Sequence, residues 1–383
     1  MAQKNTKTSS LRLLLNAEPF GFGPTAAIAS FFLHLKGKFA GIGYIGKKHT
    51  LDLQRDLPYD AIHDVTKLSQ DKIKDLFKGY DVFVTAMDHK MAKLAKKAGL
   101  KVIYYDALTW YWPEIKQFPE DCDLYIGQDF FGVKERLTQT FGRHADIFVV
   151  PPIVEDVKPS NEREHVLINL GGLQNPYIPK KDLVIYARQL VTALKDVIPK
   201  NEKVIIAGSK AIADKLGDLG VRTYPREEMK DILAKSKIAF MTPGLGNIYD
   251  AASYNIPTAW LPPANDSQGR QLDILKDKGI VDASIDWDDF LTLRQINYSQ
   301  KQLLVLNQIG AVIKRLQSEE AAQERLSKKL RGAYKTISKT KVSKTTKLPK
   351  LFGVGGEKIV ADLIVERTKT FEGNQNIREA RCD

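Results

Sequence analysis

Short apolar runs that end in glycine or small polar residues, each followed by a helix-forming stretch, recur along this chain. That alternation restricts it to the α/β class, because parallel strands in sequence need helical crossovers between them. The clearest instance is Ile238–Gln271, IAFMTPGLGNIYDAASYNIPTAWLPPANDSQGRQ. Lys237–Met241 reads as a buried strand, and Thr242-Pro243-Gly244-Leu245-Gly246-Asn247 interrupts it with two glycines and a proline. Asn247 is expected to N-cap a helix over Ile248–Tyr254, which Asn255 and Pro257 end. Thr258–Leu261 follows as a strand and Pro262–Gly269 as a polar loop. A glycine turn that opens a helix after a strand presents backbone N–H groups to an anion, usually phosphate. Asp250, early in that helix, is suited to accept bonds from ribose hydroxyls.

The rest of the chain repeats the pattern. Residues 1–10 are polar, basic and expected to be disordered. Leu11–Asn16 is a strand that runs into the glycine-bearing loop Glu18–Thr25, followed by a buried helix, Ala26–Leu35, and a second strand, Phe39–Ile45. The loop departs from GxGxxG, since Gly23 is followed by Pro-Thr-Ala, so a dinucleotide cofactor is not indicated. Asp81–Thr85 and Lys101–Tyr105 are strands with a helix, Lys90–Ala98, between them; Leu124–Gly127 and Ile147–Val150 complete the half. Pro151-Pro152 and the polar stretch Val154–Arg163 mark the passage to a second domain. There Val166–Leu170, Lys203–Ala207 and Val221–Tyr224 are strands, with helices over Asp182–Val197, Ala211–Leu216 and Glu227–Lys235. A long helical region (Ser299–Leu330), a lysine-rich segment, a last helix (Gly356–Arg367) and a frayed tail follow. The expected division is 11–152 and 160–330, with 331–383 as basic linker, helix and tail.

Composition excludes several classes. At 43% hydrophobic and 27% charged residues the chain is that of a globular protein, and no apolar run reaches the length of a membrane span. Leu11–Leu15 is too short for a signal-peptide core, so a cytoplasmic location is expected. Cys122 and Cys382 lie far apart and suggest neither a disulfide framework nor a metal site. The net charge is +12, and Lys335–Lys350 alone carries six lysines. That segment reads either as a weak nucleic-acid or acidic-membrane contact or, more commonly for a charge run, as a solvated linker.

Ligands of open α/β sheets bind beyond the carboxyl ends of strands. In the first half this selects Glu18–Thr25 with Gly21 and Gly23, the pair Asp88 and His89, and Asp106–Glu114. Glu18, Asp88, His89 and Asp106 are candidates for a proton acceptor, although His89 reads equally well as a surface histidine. Trp110 and Trp112 offer planes for stacking on a sugar or a base, or else fill apolar core. Asp121-Cys122-Asp123 has the spacing of a metal-binding DxD, but it precedes a strand and reads as a turn, so no metal ligand set is assigned. In the second half, Gly171-Gly172 and Gly244/Gly246 both end strands and precede helices. Two such turns together can hold a diphosphate on helix N-termini without a metal.

Gly171-Gly172-Leu173-Gln174 resembles the GGxQ turn of the MurG-type glycosyltransferases, which add N-acetylglucosamine to a lipid-linked muramyl peptide. The segment Pro243-Gly244…Asp250-Ala251-Ala252…Pro257…Pro262…Gln271 resembles that family's donor signature. The resemblance spans roughly residues 165–275. It implies the GT-B fold, α/β with two Rossmann-like doubly wound domains and an interdomain cleft, the acceptor on the N-terminal domain and the donor on the C-terminal one. It further implies that Gly171, Gly172, Gln174, Pro243, Gly244, Leu245, Gly246, Asn247 and Asp250 hold the nucleotide. Asp266, Gln268 and Gln271 are implied donor-sugar contacts, and Tyr224–Met229 lies where the family cups the uracil base. Asp250 stands where glutamate is usual, Pro243 where serine is common, and the polar loop is one residue longer. The family's GGTGGH loop is replaced by Gly21-Phe22-Gly23-Pro24-Thr25, and its membrane-docking apolar patch is not evident. Phe20-Gly21-Phe22-Gly23 with Asp106–Trp112 loosely resembles the synthases that join glucuronic acid to cytosine.

The expected function is a metal-independent glycosyltransferase that moves a sugar from a UDP-sugar to a nucleobase or other small polar acceptor, with inversion and no required cofactor. The alternatives are a UDP-sugar 2-epimerase of the same fold, or a non-catalytic nucleotide- or nucleic-acid-binding module in which the glycine turns are structural only.

Overall fold

In the computed structural model the described residues are 9–379, apart from 143, 145, 158, 159, 161 and 292–295. Most of the segment expected to be disordered, the last four residues of the tail and Cys382 therefore lie outside the described residues. Contacts divide the chain into two compact units, one of Met1–Glu155 with Phe352–Asp383, the other of Asp156–Leu351.

The first unit runs β1 (Ser9–Ala17), α1 (Gly23–Leu35), β2 (Phe39–Gly46), β3 (Ala61–Asp64), α2 (Gln70–Phe77), β4 (Val82–Ala86), α3 (His89–Lys97), β5 (Lys101–Asp106), α4 (Gln117–Glu120), β6 (Leu124–Gln128), α5 (Val133–Phe141) and β7 (Ile147–Val150). The strands form one parallel sheet in the order β3-β2-β1-β4-β5-β6-β7. A sheet covered on both faces needs continuous rather than alternating apolar strands. VFVTA in β4 and LYIGQ in β6 meet that need, every residue of each being buried. The elements β3, α2 and α5 are absent from the sequence reading. β3 is half exposed, and α2 buries only Ile73 and Phe77, so neither carries a strong apolar signal.

The second unit runs β8 (His165–Asn169), α6 (Lys180–Val197), β9 (Val204–Ala207), α7 (Lys210–Leu216), β10 (Val221–Arg222), α8 (Arg226–Ala234), β11 (Ser236–Met241), α9 (Leu245–Ser253), β12 (Thr258–Trp260), α10 (Asp266–Asp277), β13 (Ala283–Ser284), α11 (Gln302–Ser318), α12 (Glu320–Ile337) and α13 (Lys347–Phe352), the last residue of α13 belonging to the first unit. Its parallel sheet has the order β10-β9-β8-β11-β12-β13. Each sheet is thus wound outward in both directions from its first strand. The strand order reverses between β1 and β4 in one unit and between β8 and β11 in the other.

Three expectations near the C-terminus are corrected. The long helical region is two helices, because Glu319 leaves the helical conformation (φ −109°, ψ 101°) and serves as the boundary of both α11 and α12. Both helices pack on α6 in the second unit. The lysine-rich segment is not a solvated linker throughout. Ser343 N–H donates to Asn255 Oδ1 (2.9 Å), Ser343 Oγ–H to Asp282 Oδ2 (2.6 Å) and Lys344 N–H to Asp282 Oδ1 (2.8 Å). Thr345 and Leu348 are fully buried, while the six lysines stay exposed. Finally, the last helix does not fray after Arg367. α14 (Gly356–Glu379) returns to the first unit, where Val360, Ala361, Ile364 and Phe371 join the core formed by β1 and α1. Glu372 Oε1 accepts from Ser9 Oγ (2.6 Å) and Ser10 N (2.8 Å), which ties this helix to the start of β1.

Candidate functional site

The reversal between β8 and β11 brings the two glycine turns of the second unit together. Asn169, the last residue of β8, donates from Nδ2 to Asn247 Oδ1 (3.2 Å) and accepts from Gly171 N–H (2.9 Å). Asn247 Nδ2 donates to the Thr242 carbonyl (2.9 Å), and Thr242 Oγ–H donates to the Leu170 carbonyl (3.1 Å). Gly171 lies in the left-handed region (φ 62°), and a Cβ there would stand 2.9 Å from Thr242 Oγ1. Only glycine fits both the conformation and the approach. Asn169 and Thr242 are site residues that the sequence reading missed. Their signal is a polar side chain at the end of a buried strand, Asn169 as the last residue of β8 and Thr242 as the first after β11.

Asn247 is not the N-cap expected of it. α9 begins three residues earlier than expected, at Leu245, with Gly244 as its cap, so no cap side chain bonds its first turn. The side chain of Asn247 is used instead to hold the two turns in register. The N–H groups at the start of α9, over Leu245 and Gly246, carry the positive end of the helix dipole. A Cβ on Gly246 would have open space around it, and one on Gly244 would have only Gln268 Nε2 nearby, at 3.8 Å. Gly172, by contrast, is not at a helix N-terminus. Pro176 and Pro179 follow it, and α6 starts only at Lys180, with Leu173 and Ile178 buried as the loop's footing. Gln174 lies half buried in that same loop. Asp250 is half buried in the second turn of α9.

The expected polar loop Pro262–Gly269 is also corrected, since α10 begins at Asp266. Asn265 caps it by accepting from Gln268 N–H (2.9 Å). Asp266 is fully buried, and Gln268 Oε1 accepts from Ala264 N–H (2.8 Å). Gln271 is 2% exposed, and its Oε1 has no partner among the described residues.

At the first unit's reversal, Glu18 follows β1 and Asp88 follows β4. Glu18 N–H donates to the Ala86 carbonyl (2.9 Å), which draws the two strand ends together. Beneath them, Asp88 N–H donates to Thr85 Oγ1 (3.3 Å), Thr85 Oγ–H to Asn16 Oδ1 (2.8 Å), and Asn16 Nδ2 to the Ile45 carbonyl (3.0 Å). Asp88 caps α3 by accepting from Met91 N–H (3.1 Å). It is 3% exposed, whereas Glu18 is half buried. Burial first, then the neighbouring Asp88 carboxyl, push Glu18 up to about 8, with Lys47 and Lys90 opposing. Asp88 is also raised, chiefly by burial. Two neighbouring carboxyls do not both ionise easily, which agrees with the upward direction of both.

The other two proton-acceptor candidates are differently employed. Asp106 is fully buried, and its carboxylate accepts from Tyr125 Oη (2.8 Å), Leu108 N–H (2.7 Å) and Trp112 Nε1 (3.1 Å). Those bonds make it a clamp that shapes the loop after β5, with no surface left for a substrate. His89 pairs with Asp121 (2.7 Å) and packs edge-on against Phe118. Trp112 is tied to Asp106, and Trp110 packs on Phe130 with its Nε1 buried and unpartnered. Gly21 (φ 66°) ends the approach to α1, its carbonyl 2.7 Å from His49 Nε2; Gly23 is the first residue of that helix. Asp123 is engaged by Lys96 and Lys101. Among the described residues no group of His, Cys, Asp and Glu is arranged to hold a metal ion, and no helix is long and apolar enough to cross a membrane.

No family model matches the sequence, and no curated protein matches it. Solved structures do match the fold. MurG from Acinetobacter baumannii aligns over 93% of this chain and 99% of its own, with a TM-score of 0.51 at 12% identity. UGT73P12 from Glycyrrhiza uralensis, complexed with glycyrrhetinic acid 3-O-monoglucuronide, aligns over 98% and 99%, with a TM-score of 0.50 at 13% identity. LpCGTa, in complex with UDP, aligns over 93% and 99%, with a TM-score of 0.50 at 11% identity. Two doubly wound parallel sheets, matched across nearly the whole chain by these glycosyltransferase structures, show that this chain has the GT-B fold.

Proposed function

We propose that the protein is a glycosyltransferase that takes its donor as a UDP-sugar on the second unit. The observation that carries this reading is the locked pair of turns at the β8/β11 reversal, with the uncapped N-terminus of α9 at its centre. The backbone N–H groups of Leu245 and Gly246 stabilise the diphosphate, first as substrate and then as leaving group. Asp250 accepts from the ribose hydroxyls, and Tyr224–Met229, which runs from the loop after β10 into the first turn of α8, borders the base. Gln268, and Gln271 with its unpartnered Oε1, contact the sugar; buried Asp266 supports them. The UDP held by LpCGTa, a protein of similar fold, supports the choice of nucleotide. The acceptor is a small polar molecule that binds to the first unit beside Trp110 and Trp112. The anomeric carbon is attacked opposite the diphosphate, which inverts it. Because a helix N-terminus stabilises the leaving group, turnover is independent of divalent metal.

The test is calorimetric titration with UDP, followed by assay of UDP release from a panel of UDP-sugars with and without a chelator. Micromolar to millimolar UDP binding that weakens about tenfold or more in Asp250→Ala is expected, for a loss of two charge-assisted hydrogen bonds. Absence of UDP binding would overturn the reading. Release of free UDP distinguishes transfer from epimerisation, which returns the nucleotide sugar intact.

A further inference from the structure

The positive charge of the chain is concentrated in one segment of the second unit. Arg325–Lys350 carries ten cations and no Asp or Glu, while the rest of the chain is near balance, with 48 cations to 46 acids. A block of like charges is ordinarily disordered, because its members repel. This one is folded. Its first half lies in α12, where Lys328, Arg331 and Lys335 fall within a sector of about 60° at 3.6 residues per turn, and all three are exposed. Leu326, Leu330, Ala333 and Ile337 occupy the opposite side of the helix and are buried. The second half is anchored on Asp282 by Ser343 Oγ–H and the Lys344 N–H, and the turn Lys344–Thr346 packs on α9. Among the described residues, Lys329 is the one of the ten with an ion pair, to Asp289 (2.8 Å), while Arg325 Nε donates to the Phe290 carbonyl (2.7 Å). Two apolar side chains stand out beside lysines: Val342, 63% exposed, follows Lys341, and Leu351, 55% exposed, follows Lys350. Beside β13 lies a groove of about 550 Å³ lined by Arg325, Lys328, Lys329 and Thr336; Asp282 and Asp289, also on its wall, are already engaged.

We infer that this surface docks the protein on an anionic lipid bilayer, with the lysines on the headgroup phosphates and Val342 and Leu351 entering the headgroup region. The inference goes beyond the donor reading and does not depend on it. Holding many like charges in a folded surface costs self-repulsion, which a surface of opposite charge relieves. Each lysine near an anionic leaflet adds to the attraction, and each inserted apolar side chain adds burial. The groove beside β13 offers Arg325 and Lys328 to a single lipid phosphate. The composition favours lipid over nucleic acid. The segment has eight lysines to two arginines, and its one aromatic residue, Tyr334, is half buried, so it presents no exposed plane for a base to stack on. Val342 and Leu351 gain nothing from a phosphodiester backbone, but they lose exposed apolar area on entering a bilayer.

The experiment is co-sedimentation of the full chain with vesicles of phosphatidylcholine alone or with about one-third phosphatidylglycerol, at about 0.1 M salt and above. Binding to the anionic vesicles alone is expected, weakening as salt rises. The triple variant Lys335→Gln, Lys339→Gln, Lys344→Gln should lose about a hundredfold in partitioning, at about fivefold per lysine. Lys72→Gln, Lys97→Gln, Lys200→Gln, which removes the same charge from exposed lysines outside the segment, should change it little. Val342→Ser with Leu351→Ser should weaken it about tenfold. All these side chains are exposed, and thermal melts check that each variant folds as the wild type does. Failure of the wild type to bind anionic vesicles, wild-type binding by the segment's triple variant, or an equal loss in the control triple overturns the inference. So does duplex DNA or RNA bound more tightly than the vesicles at the same salt, with an affinity that Val342→Ser and Leu351→Ser leave unchanged. None of these outcomes touches the donor reading, which UDP calorimetry tests separately.

Discussion

Replacing Gly171 with alanine tests whether the paired turns form one rigid structure. The change places a non-glycine residue at φ 62°, which costs about 1–2 kcal/mol. The new methyl stands 2.9 Å from Thr242 Oγ1 and 3.4 Å from Asn247 Nδ2. Thr242 must then give way, which weakens its 3.1 Å bond to the Leu170 carbonyl at about 1 kcal/mol. Together these amount to about 2–3 kcal/mol, or a fall in Tm of about 5–10 °C for a domain of 150–250 residues. The same displacement moves the start of α9, so UDP affinity is expected to drop by about tenfold or more, about 1.4 kcal/mol per decade. Gly246→Ala is the control. A Cβ there has nothing within 4 Å, and in a helix the change is neutral or stabilising by up to about 1 kcal/mol. Thermal melts and UDP calorimetry on both variants decide the matter. An unchanged Tm for Gly171→Ala, or an equal loss for Gly246→Ala, would refute the account of the locked turns.

Asp106→Ala leaves Tyr125 Oη, Leu108 N–H and Trp112 Nε1 without their acceptor; a loss of about 3 kcal/mol or more in denaturant unfolding is expected. Glu18→Gln should change the pH dependence of stability. The Glu18 carboxyl is raised from 4.5 to about 8 in the folded chain, so its stabilising contribution is complete below pH 4.5 and lost as pH rises through 8. At about 1.4 kcal/mol per unit, discounted for the partial exposure of Glu18, the wild type should lose about 1–3 kcal/mol across that window. Urea unfolding as a function of pH measures this loss, and Glu18→Gln should lack it.

Much of the molecule was legible from residues alone, for a physical reason. A parallel strand covered on both faces must be apolar throughout, so runs such as VFVTA and LYIGQ announce themselves. Their spacing, with helices between, implied two doubly wound sheets, and the solved structures of similar fold agree. Elements that bury little, such as β3 and α2, gave no comparable signal. Local polarity misled where a helix began earlier than its best capping residue, at Asn247, and where the loop before Gln271 turned out to be the start of α10. The lysine-rich segment was judged by charge alone, whereas Ser343 is held by Asp282, 61 positions away.

Sequence determined which residues sit at strand ends, because period and turn chemistry are local properties. It listed Glu18, Asp88, His89 and Asp106 as equals for the same reason. Only the tertiary structure could separate them, since a proton's affinity depends on neighbours that the chain brings from afar. Tyr125 and Trp112 enclose Asp106, Asp121 engages His89, and Asp88 meets Glu18 across 70 residues of sequence. The glycine turns followed the same division. Their positions were evident in the chain, but the polar bridge from Asn169 through Asn247 to Thr242 exists only once β8 and β11 lie side by side.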